Sequence, residues 1–381
     1  RSAPERGRMG TYRTAVACAV IATACFAFIA APAPASAALR AVAFVSSTTG
    51  WVGGDGTILA TTDGGKTWQR QYSGRAQISA LSFISPAVGW AAGVDPIPGT
   101  GVLLGTRDGG HTWSPLGEPH SPARQISFAS ALVGFAMAGG SPLQASGATE
   151  RIPPFFGGRL AATADGGRSW HVLDAPMLVD STCASNTQHM WAAYQAAVLR
   201  SDDAGDSFSN VFSPMIDTKR VWYATIECAG ADVAWVQFAG VATGEQRAYV
   251  VFRTSDAGLH WLTVLANKRT PDAYPHLEGA PADGPGPWPG PFSVVDANSA
   301  FFLGACPQCG SHGAVSVIGT NDGGKTWQSI STVPDVTLAG PVAVSFPDSQ
   351  HGWVVGTSAS GAPVIAASAD GGITWTEQGA R

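Results

Sequence analysis

The stretch Thr61–Trp68, TTDGGKTW, decides how the rest of the sequence is read. In isolation, its aspartate, two glycines and Lys66 suit an ion-binding or catalytic loop. They equally suit a tight turn held by its own side chains. Recurrence separates the two readings. TRDGGHTW stands at Thr106–Trp113, TADGGRSW at Thr163–Trp170 and SDDAGDSF at Ser201–Phe208. TSDAGLHW follows at Thr254–Trp261, TNDGGKTW at Thr320–Trp327 and SADGGITW at Ser368–Trp375. All seven copies share Ser/Thr-x-Asp-x-Gly-x-x-aromatic, with the aromatic five residues after the aspartate. The residue two before that aromatic runs Lys66, His111, Arg168, Asp206, Leu259, Lys325, Ile373. An active loop would not repeat seven times with unrelated chemistry there. Asp63, Asp108, Asp165, Asp203, Asp256, Asp322 and Asp370 are therefore assigned a structural role.

The residue types explain that role. An aspartate carboxylate accepts hydrogen bonds from backbone N–H groups one to three residues on, as in an Asx turn. Glycine takes the positive φ that a side chain resists. The flanking hydroxyls bridge the strand ends, and the aromatic buries a large flat ring.

A second element precedes each copy, usually a small residue and an aromatic: Gly50-Trp51, Gly89-Trp90, Gly134-Phe135, Met190-Trp191, Ala234-Trp235, Ala300-Phe301 and Gly352-Trp353. Seven residues before most of these aromatics lies a core-type residue: Phe44, Phe83, Phe128, Cys228, Val294 or Phe346. In the fourth unit the spacing is eight, to Cys183. Short alternating or apolar runs surround these points, and no helical periodicity follows Ala38. Each unit reads as four short antiparallel strands, and the aspartates recur at intervals of 38 to 66 residues. That pattern predicts an all-β chain, a seven-bladed β-propeller of four-stranded blades with an Asp turn in each. The units fill the chain from about Leu39 to Gln378 and leave no room for a second domain. Their order does not say whether the ring closes by exchanging a terminal strand.

The motif resembles the Asp box, the bacterial neuraminidase repeat of sialidases, sortilin-type ectodomains, some xyloglucan-active glycosidases and the photosystem II stability/assembly factor family. GWVGG, GWAAG and GWVVG beside TxDGGKTW are most similar to the last of these. The resemblance covers nearly the whole chain after the leader. It implies the propeller fold and a non-enzymatic assembly scaffold that recognises a protein partner, such as a membrane protein or another component of the cell envelope.

Residues 1–37 read as a targeting segment. Met9 is the expected start, Arg13 a positive flank and Ala15–Ala31 an apolar run. Pro34-Ala35-Ser36-Ala37 offers small residues for cleavage before Ala38, so residues 38–381 form the expected propeller domain and an exported product. An uncleaved anchor is the alternative, since 17 apolar residues are at the lower edge of a membrane span. Without the leader the chain keeps 18 basic and 26 acidic residues and has no basic run, which argues against nucleic-acid binding. It also keeps four cysteines, Cys183, Cys228, Cys306 and Cys309, an even number suited to disulfides in an exported chain. Cys306 and Cys309 are expected to pin their loop, and Cys183 and Cys228, at nearly equivalent places in adjacent units, to bridge those units.

Spacing separates the two rims. The first turn of each unit and the Asp turn are nearly constant in length and fall on one rim. The other connections vary: the second-strand aromatic precedes the Asp by 12 to 30 residues, and 38 residues separate Asp256 from Val294. Insertions therefore collect on the opposite rim, where repeat folds bind. Candidate binding residues there are Arg151, Phe155, Phe156 and Arg159; Lys219, Arg220, Trp222, Tyr223 and Glu227; and Arg247 and Trp288. No cofactor and no metal is expected, because the phosphate-loop, zinc and serine-nucleophile motifs are missing and SDDAGD reads as a variant Asp turn.

A carbohydrate-binding or glycoside-hydrolysing propeller is the alternative. Arg151-Ile152-Pro153 resembles the Arg-Ile-Pro element of sialidases, but follows the second Asp box instead of preceding the first. Tyr223 and Glu227 are the candidates for the Tyr–Glu nucleophile pair of those enzymes. Glu227 stands where other units carry Ala43, Ser82, Ser127 and Ser345, a position expected to line a central channel with a raised pKa or an arginine partner.

Overall fold

The computed structural model describes residues 38–379 apart from 98, 140, 143–154, 177, 217–221, 241–245, 268–280, 307–312, 329–330 and 339. Its regular structure is β throughout, and almost every strand pairs antiparallel with its neighbour in sequence. Leu39–Phe44, Gly50–Thr61, Gln69–Phe83, Gly89–Val94, Gly101–Thr106 and Ser114–Pro115 follow one another across a six-stranded sheet. Gln69–Phe83 serves two units. Its first half pairs with Gly50–Thr61 and its second half with Gly89–Val94. Four-stranded sheets follow: Ala123–Phe128, Gly134–Ala138, Arg159–Thr163 and His171–Val172, then Ser181–Ala184, Met190–Tyr194, Ala197–Ser201 and Ser209–Phe212. The next sheet holds Trp222–Cys228, Ala234–Gly240, Tyr249–Thr254 and Leu262–Ala266, with Ala282–Asp283 added in parallel at its edge. The last sheet runs from Trp288–Val294 to Thr376–Gln378, its two halves joined by the single pair Thr337↔Thr357.

Burial grades across each unit. The second strands, such as Ala234–Gly240 and Gly352–Thr357, are buried along their whole length. First strands alternate, as in Trp222–Cys228, because one pleat faces the neighbouring sheet and the other does not. Fourth strands, such as Ser209–Phe212, are largely exposed. The apolar core is consequently a series of clusters between successive sheets. One packs Trp191 and Val198 with Ile226, Val236 and Phe252; another packs Trp235 and Val251 with Phe292 and Phe302.

The same side chains fasten the junctions. The Phe beginning a unit's first turn stacks on the second-strand aromatic of the unit before it. Trp51–Phe83 and Phe44–Trp353 have ring centroids 3.5 Å apart, Trp90–Phe128 3.6 Å and Phe301–Phe346 3.7 Å, all nearly coplanar. First strands also hydrogen-bond from sheet to sheet through serine hydroxyls: Phe128 N donates to Ser82 Oγ, Ala184 N to Ser127 Oγ, Ile226 N to Ser181 Oγ and Phe346 N to Ser293 Oγ. Phe44 N donates to Ser345 Oγ, so the first strand meets the last unit. The sheet at each chain end is built from that end's own strands. Among the described residues the two chain ends meet by packing and hydrogen bonds, and neither end adds a strand to the other's sheet.

All seven Asp turns have one geometry. In the first, Thr61 Oγ1 donates to Asp63 Oδ1 at 2.8 Å and accepts from Gly65 N at 2.8 Å. Thr67 donates its N–H to Oδ1 at 2.9 Å and its hydroxyl to Oδ2 at 2.7 Å. The carboxylate thus reaches the N–H four residues on, further than the sequence reading placed it. Arg168 and Ile373 add the N–H three residues on. In the fifth turn the His260 ring nitrogen takes the hydroxyl's place against Asp256. These bonds hold Asp63, Asp108, Asp256 and Asp322 well below the usual carboxylate range, at about 2. Gly64 and Gly65 have φ of 75° and 88°; in the fourth and fifth turns Ala204 and Ala257 adopt about the same conformation.

Each Asp turn is also tied to the first turn of its own unit. Gly64 N donates to Thr48 O, and the equivalent bond recurs from Gly109, Gly166, Ala204, Ala257, Gly323 and Gly371, at 2.8–3.0 Å. The two turns of constant length therefore share one end of every unit, as their spacing implies.

Candidate functional site

The fifth unit shows what lies at the other end. Cys228 pairs with Ala234 and Ala234 with Thr254, all beside the fixed turns. Trp222↔Gly240 and the segment preceding Tyr249 lie at the far end of the same strands. Tyr223, Arg247 and Trp288 converge there. Arg247 Nη1 donates to Tyr223 Oη at 2.8 Å, and its guanidinium lies 5.6 Å from the Tyr223 ring centroid and 4.9 Å from that of Trp288. Arg247 is only 5% exposed, and burial lowers its pKa to about 10, so it stays a cation at neutral pH. Burial pushes the Tyr223 hydroxyl up, keeping it neutral and able to donate onward.

Backbone bonds fix this cluster. Arg247 N donates to Pro287 O at 3.0 Å, drawing the start of the third strand against the residue before Trp288. Asn267 Nδ2 donates to Arg247 O at 2.8 Å and Pro287 O at 3.3 Å, and Tyr249 Oη to Gly286 O at 2.7 Å. The cluster joins two sheets and holds a desolvated cation between two rings. Asn267 and Tyr249 were not foreseen: both follow or interrupt apolar runs and carry no motif.

Other sequence candidates distribute differently. Trp222, expected on the surface, is 2% exposed and packs in the core between the fourth and fifth sheets. The alternation of its strand turns it inward, so it supports the neighbouring surface from beneath. Arg159 is exposed in the third sheet, apart from the Arg247 cluster, where it borders a cavity with Val172, Asp174 and Leu178. Phe155–Phe156 form a two-residue strand paired with Ser141–Pro142. Arg151, Lys219 and Arg220 lie outside the described residues, as do Arg269, Tyr274, His276 and Glu278 of the long link.

Glu227 occupies a strand-to-strand joint. Its Oε2 accepts from Val294 N at 2.9 Å, the bond that serine makes at the other junctions. Burial raises its pKa to about 8, so it is mainly protonated at neutral pH even though the residue keeps partial exposure. The raised pKa agrees with the sequence expectation. The Tyr–Glu pair does not form: Tyr223 and Glu227 are four positions apart along one strand, about 13 Å at the usual rise, and the Tyr223 hydroxyl is held by Arg247. A second buried carboxylate, Asp180, accepts from Gln195 N at 2.7 Å and Ala224 N at 3.2 Å, and burial raises it to about 6.

Cys183 and Cys228 are bonded, with Cα atoms 5.9 Å apart, bridging adjacent sheets as expected. Cys306 is also disulfide-bonded. Its expected partner, Cys309, lies outside the described residues.

Successive antiparallel sheets, each unit carrying an Asp turn, give the chain an all-β fold of the kind found in propellers. More particularly, residues 26–125 match the family model described as photosynthesis system II assembly factor YCF48. The fold is shared with YCF48 from Cyanidioschyzon merolae, at 17% identity and a TM-score of 0.55, covering 88% of this chain and 96% of that one. A structure of YCF48 bound to D1 peptide matches at 18% identity and a TM-score of 0.50, over 85% of this chain and 92% of the other. An ancestral GH74 enzyme matches at 14% identity and a TM-score of 0.57; 91% of this chain corresponds to 46% of that enzyme. No curated protein matches the chain.

Proposed function

We propose that this chain is an exported seven-bladed propeller with no catalytic activity, a scaffold that captures a segment of a protein partner at the rim opposite its Asp turns. The match of residues 26–125 to the assembly-factor family carries this reading. Seven closely similar turn networks support seven blades, and the bonds from Phe44 to Ser345 and from Trp353 Nε1 to Gly64 O support a closed ring. The Cys183–Cys228 bond supports an oxidising compartment after cleavage of the leader near Ala37-Ala38. YCF48 has been captured with a D1 peptide, and by analogy the partner here is an extramembrane segment of a membrane or envelope protein. Arg247, framed by Tyr223 and Trp288, is the proposed anchor.

The test is crosslinking capture from native envelopes with wild type, Arg247→Gln and Trp288→Ala. Both variants are expected to lose roughly tenfold or more in captured partner, as loss of an aromatic or arginine anchor does. Unchanged capture by both folded variants refutes the anchor.

One observation favours a second reading. Glu227 and Asp180 are buried carboxylates with raised pKa values, and the GH74 enzyme shares the fold. Turnover of a fluorogenic glycoside that disappears in Glu227→Gln would make the chain a glycoside hydrolase.

A further inference from the structure

The Asp turns are alike in geometry but not in the side chains they display. Each shows one variable residue just before its aspartate and another just before its second hydroxyl. In the second turn the former is Arg107; in the third turn the latter is Arg168. Between the second and third units these two guanidinium groups border one cavity of about 230 Å³. Trp90 and Leu116 supply its apolar wall, and Thr106 and Ser114 add polar atoms. The other junctions pair at most one basic residue with a neutral or acidic one, as Ser255 with Lys325 or Ala369 with Lys66.

Neither Arg107 nor Arg168 forms an ion pair among the described residues. The arginine ion pairs among the described residues involve Arg40, Arg75 and Arg200. Arg168 Nη1 donates to the Asp165 backbone carbonyl at 2.8 Å, which leaves the rest of its fork unused. The nearby turn carboxylates are committed to their own turns. Asp108 accepts from Thr106 Oγ1 and from Thr112 N and Oγ1, and Asp165 accepts likewise from Thr163 and Ser169. Both carboxylates stay ionised, but their oxygens are engaged within their own turns, while Arg107 and Arg168 are exposed. The Trp90 indole N–H is spent on Gly166 O at 2.9 Å, which fixes the wall in place.

We propose that this cavity is an oxyanion site for the phosphate or sulfate group of a monoester. Two guanidinium forks lining one cavity match the several acceptor oxygens of a tetrahedral anion. The volume exceeds what one ion fills, leaving room for the first atoms of an ester substituent. The site lies on the Asp-turn rim, so it stands independently of the partner surface around Arg247.

The test is calorimetric titration of the full chain with phenyl phosphate, phenyl sulfate, inorganic phosphate and inorganic sulfate at constant ionic strength. Saturable one-site binding of a monoester is expected, with a Kd of about 1 mM or tighter. Arg107→Gln and Arg168→Gln each weaken it about tenfold or more, while Lys325→Gln leaves it unchanged. A preference between the two esters identifies the source of the group. Absence of binding by every probe overturns the proposal. So does equal weakening by Lys325→Gln, which would mean diffuse surface attraction. Partner capture in the Arg107→Gln/Arg168→Gln double variant is expected to match wild type, so the failure of one reading is separable from that of the other.

Discussion

Two kinds of junction stand in contrast. Around the chain termini and the first three units, a phenylalanine lies flat on the preceding tryptophan, and that tryptophan's indole N–H reaches the next Asp turn. Trp51 donates to Gly109 O, Trp90 to Gly166 O and Trp353 to Gly64 O, at 2.9–3.2 Å. Between the fourth, fifth and sixth units the stacking residue is replaced by Cys228 and then Val294, and Trp191 and Trp235 have no partner for Nε1. Arginines cover those indoles instead. Arg200 lies 4.8 Å over Trp191 and donates to Ala231 O; Arg253 lies 5.5 Å over Trp235 and donates to Ala297 O. The Cys183–Cys228 bond and the Glu227–Val294 bond complete those junctions. One repeat therefore tolerates two ways of joining its units, because the Asp turns fix the strand ends independently of what fills the seam. The charged, polar seam is also where Tyr223, Arg247 and Trp288 gather.

The contrast can be broken from either side. Trp353→Ala removes a fully stacked ring where the two chain ends meet, and should cost about 3–5 kcal/mol in urea unfolding. A loss below about 1 kcal/mol would show that the stack does not hold that seam. Replacing Cys183 and Cys228 together by alanine should cost about 2–4 kcal/mol. Reductant should lower the midpoint of wild type more than that of the variant, which keeps only the disulfide at Cys306. Thr61→Val deletes the hydroxyl that serves both Asp63 and Gly65 N, and should cost about 1–3 kcal/mol without altering partner capture.

The smallest effect is expected at Glu227, and it depends on pH. The unfolded chain ionises this side chain near 4.5, whereas the folded protein holds its proton to about 8. Between those values folding retains a proton that unfolding releases, so the residue's contribution to stability declines as pH rises and levels off above about 8. Glu227→Gln keeps an acceptor for Val294 N and removes the titration. It should match wild type near pH 5 and be roughly 1 kcal/mol more stable near pH 8.5, allowing for the residue's partial exposure. Parallel stability profiles for the two proteins would mean the carboxyl is not desolvated by the joint.

The sequence made the repeated parts legible because each is a local contract. The Asp turn closes within eight residues, and the strand-to-turn spacing shows in the order of Phe44, Trp51 and Asp63. Cys183 and Cys228 could be paired because the repeat put them at equivalent places. The rest depends on register between sheets, which no local pattern encodes. Glu227 was visible as an odd residue in a serine position, but its bond to Val294 required the neighbouring strand. Trp222 read as part of a basic, aromatic loop and proved to be the inward end of a strand. Arg247 was legible as a candidate rim residue, but its burial and the backbone bonds made by Asn267, Tyr249 and Pro287 around it were not.

The fixed rim fastens the fold, and the opposite rim is the proposed binding surface. Hydrogen–deuterium exchange of the intact protein, with and without its captured partner, separates the two roles. New protection is expected at Trp222–Tyr223, Arg247–Ala248 and Trp288, with the seven Asp turns unchanged. Protection confined to the Asp turns, with those segments unaffected, would contradict that assignment of roles.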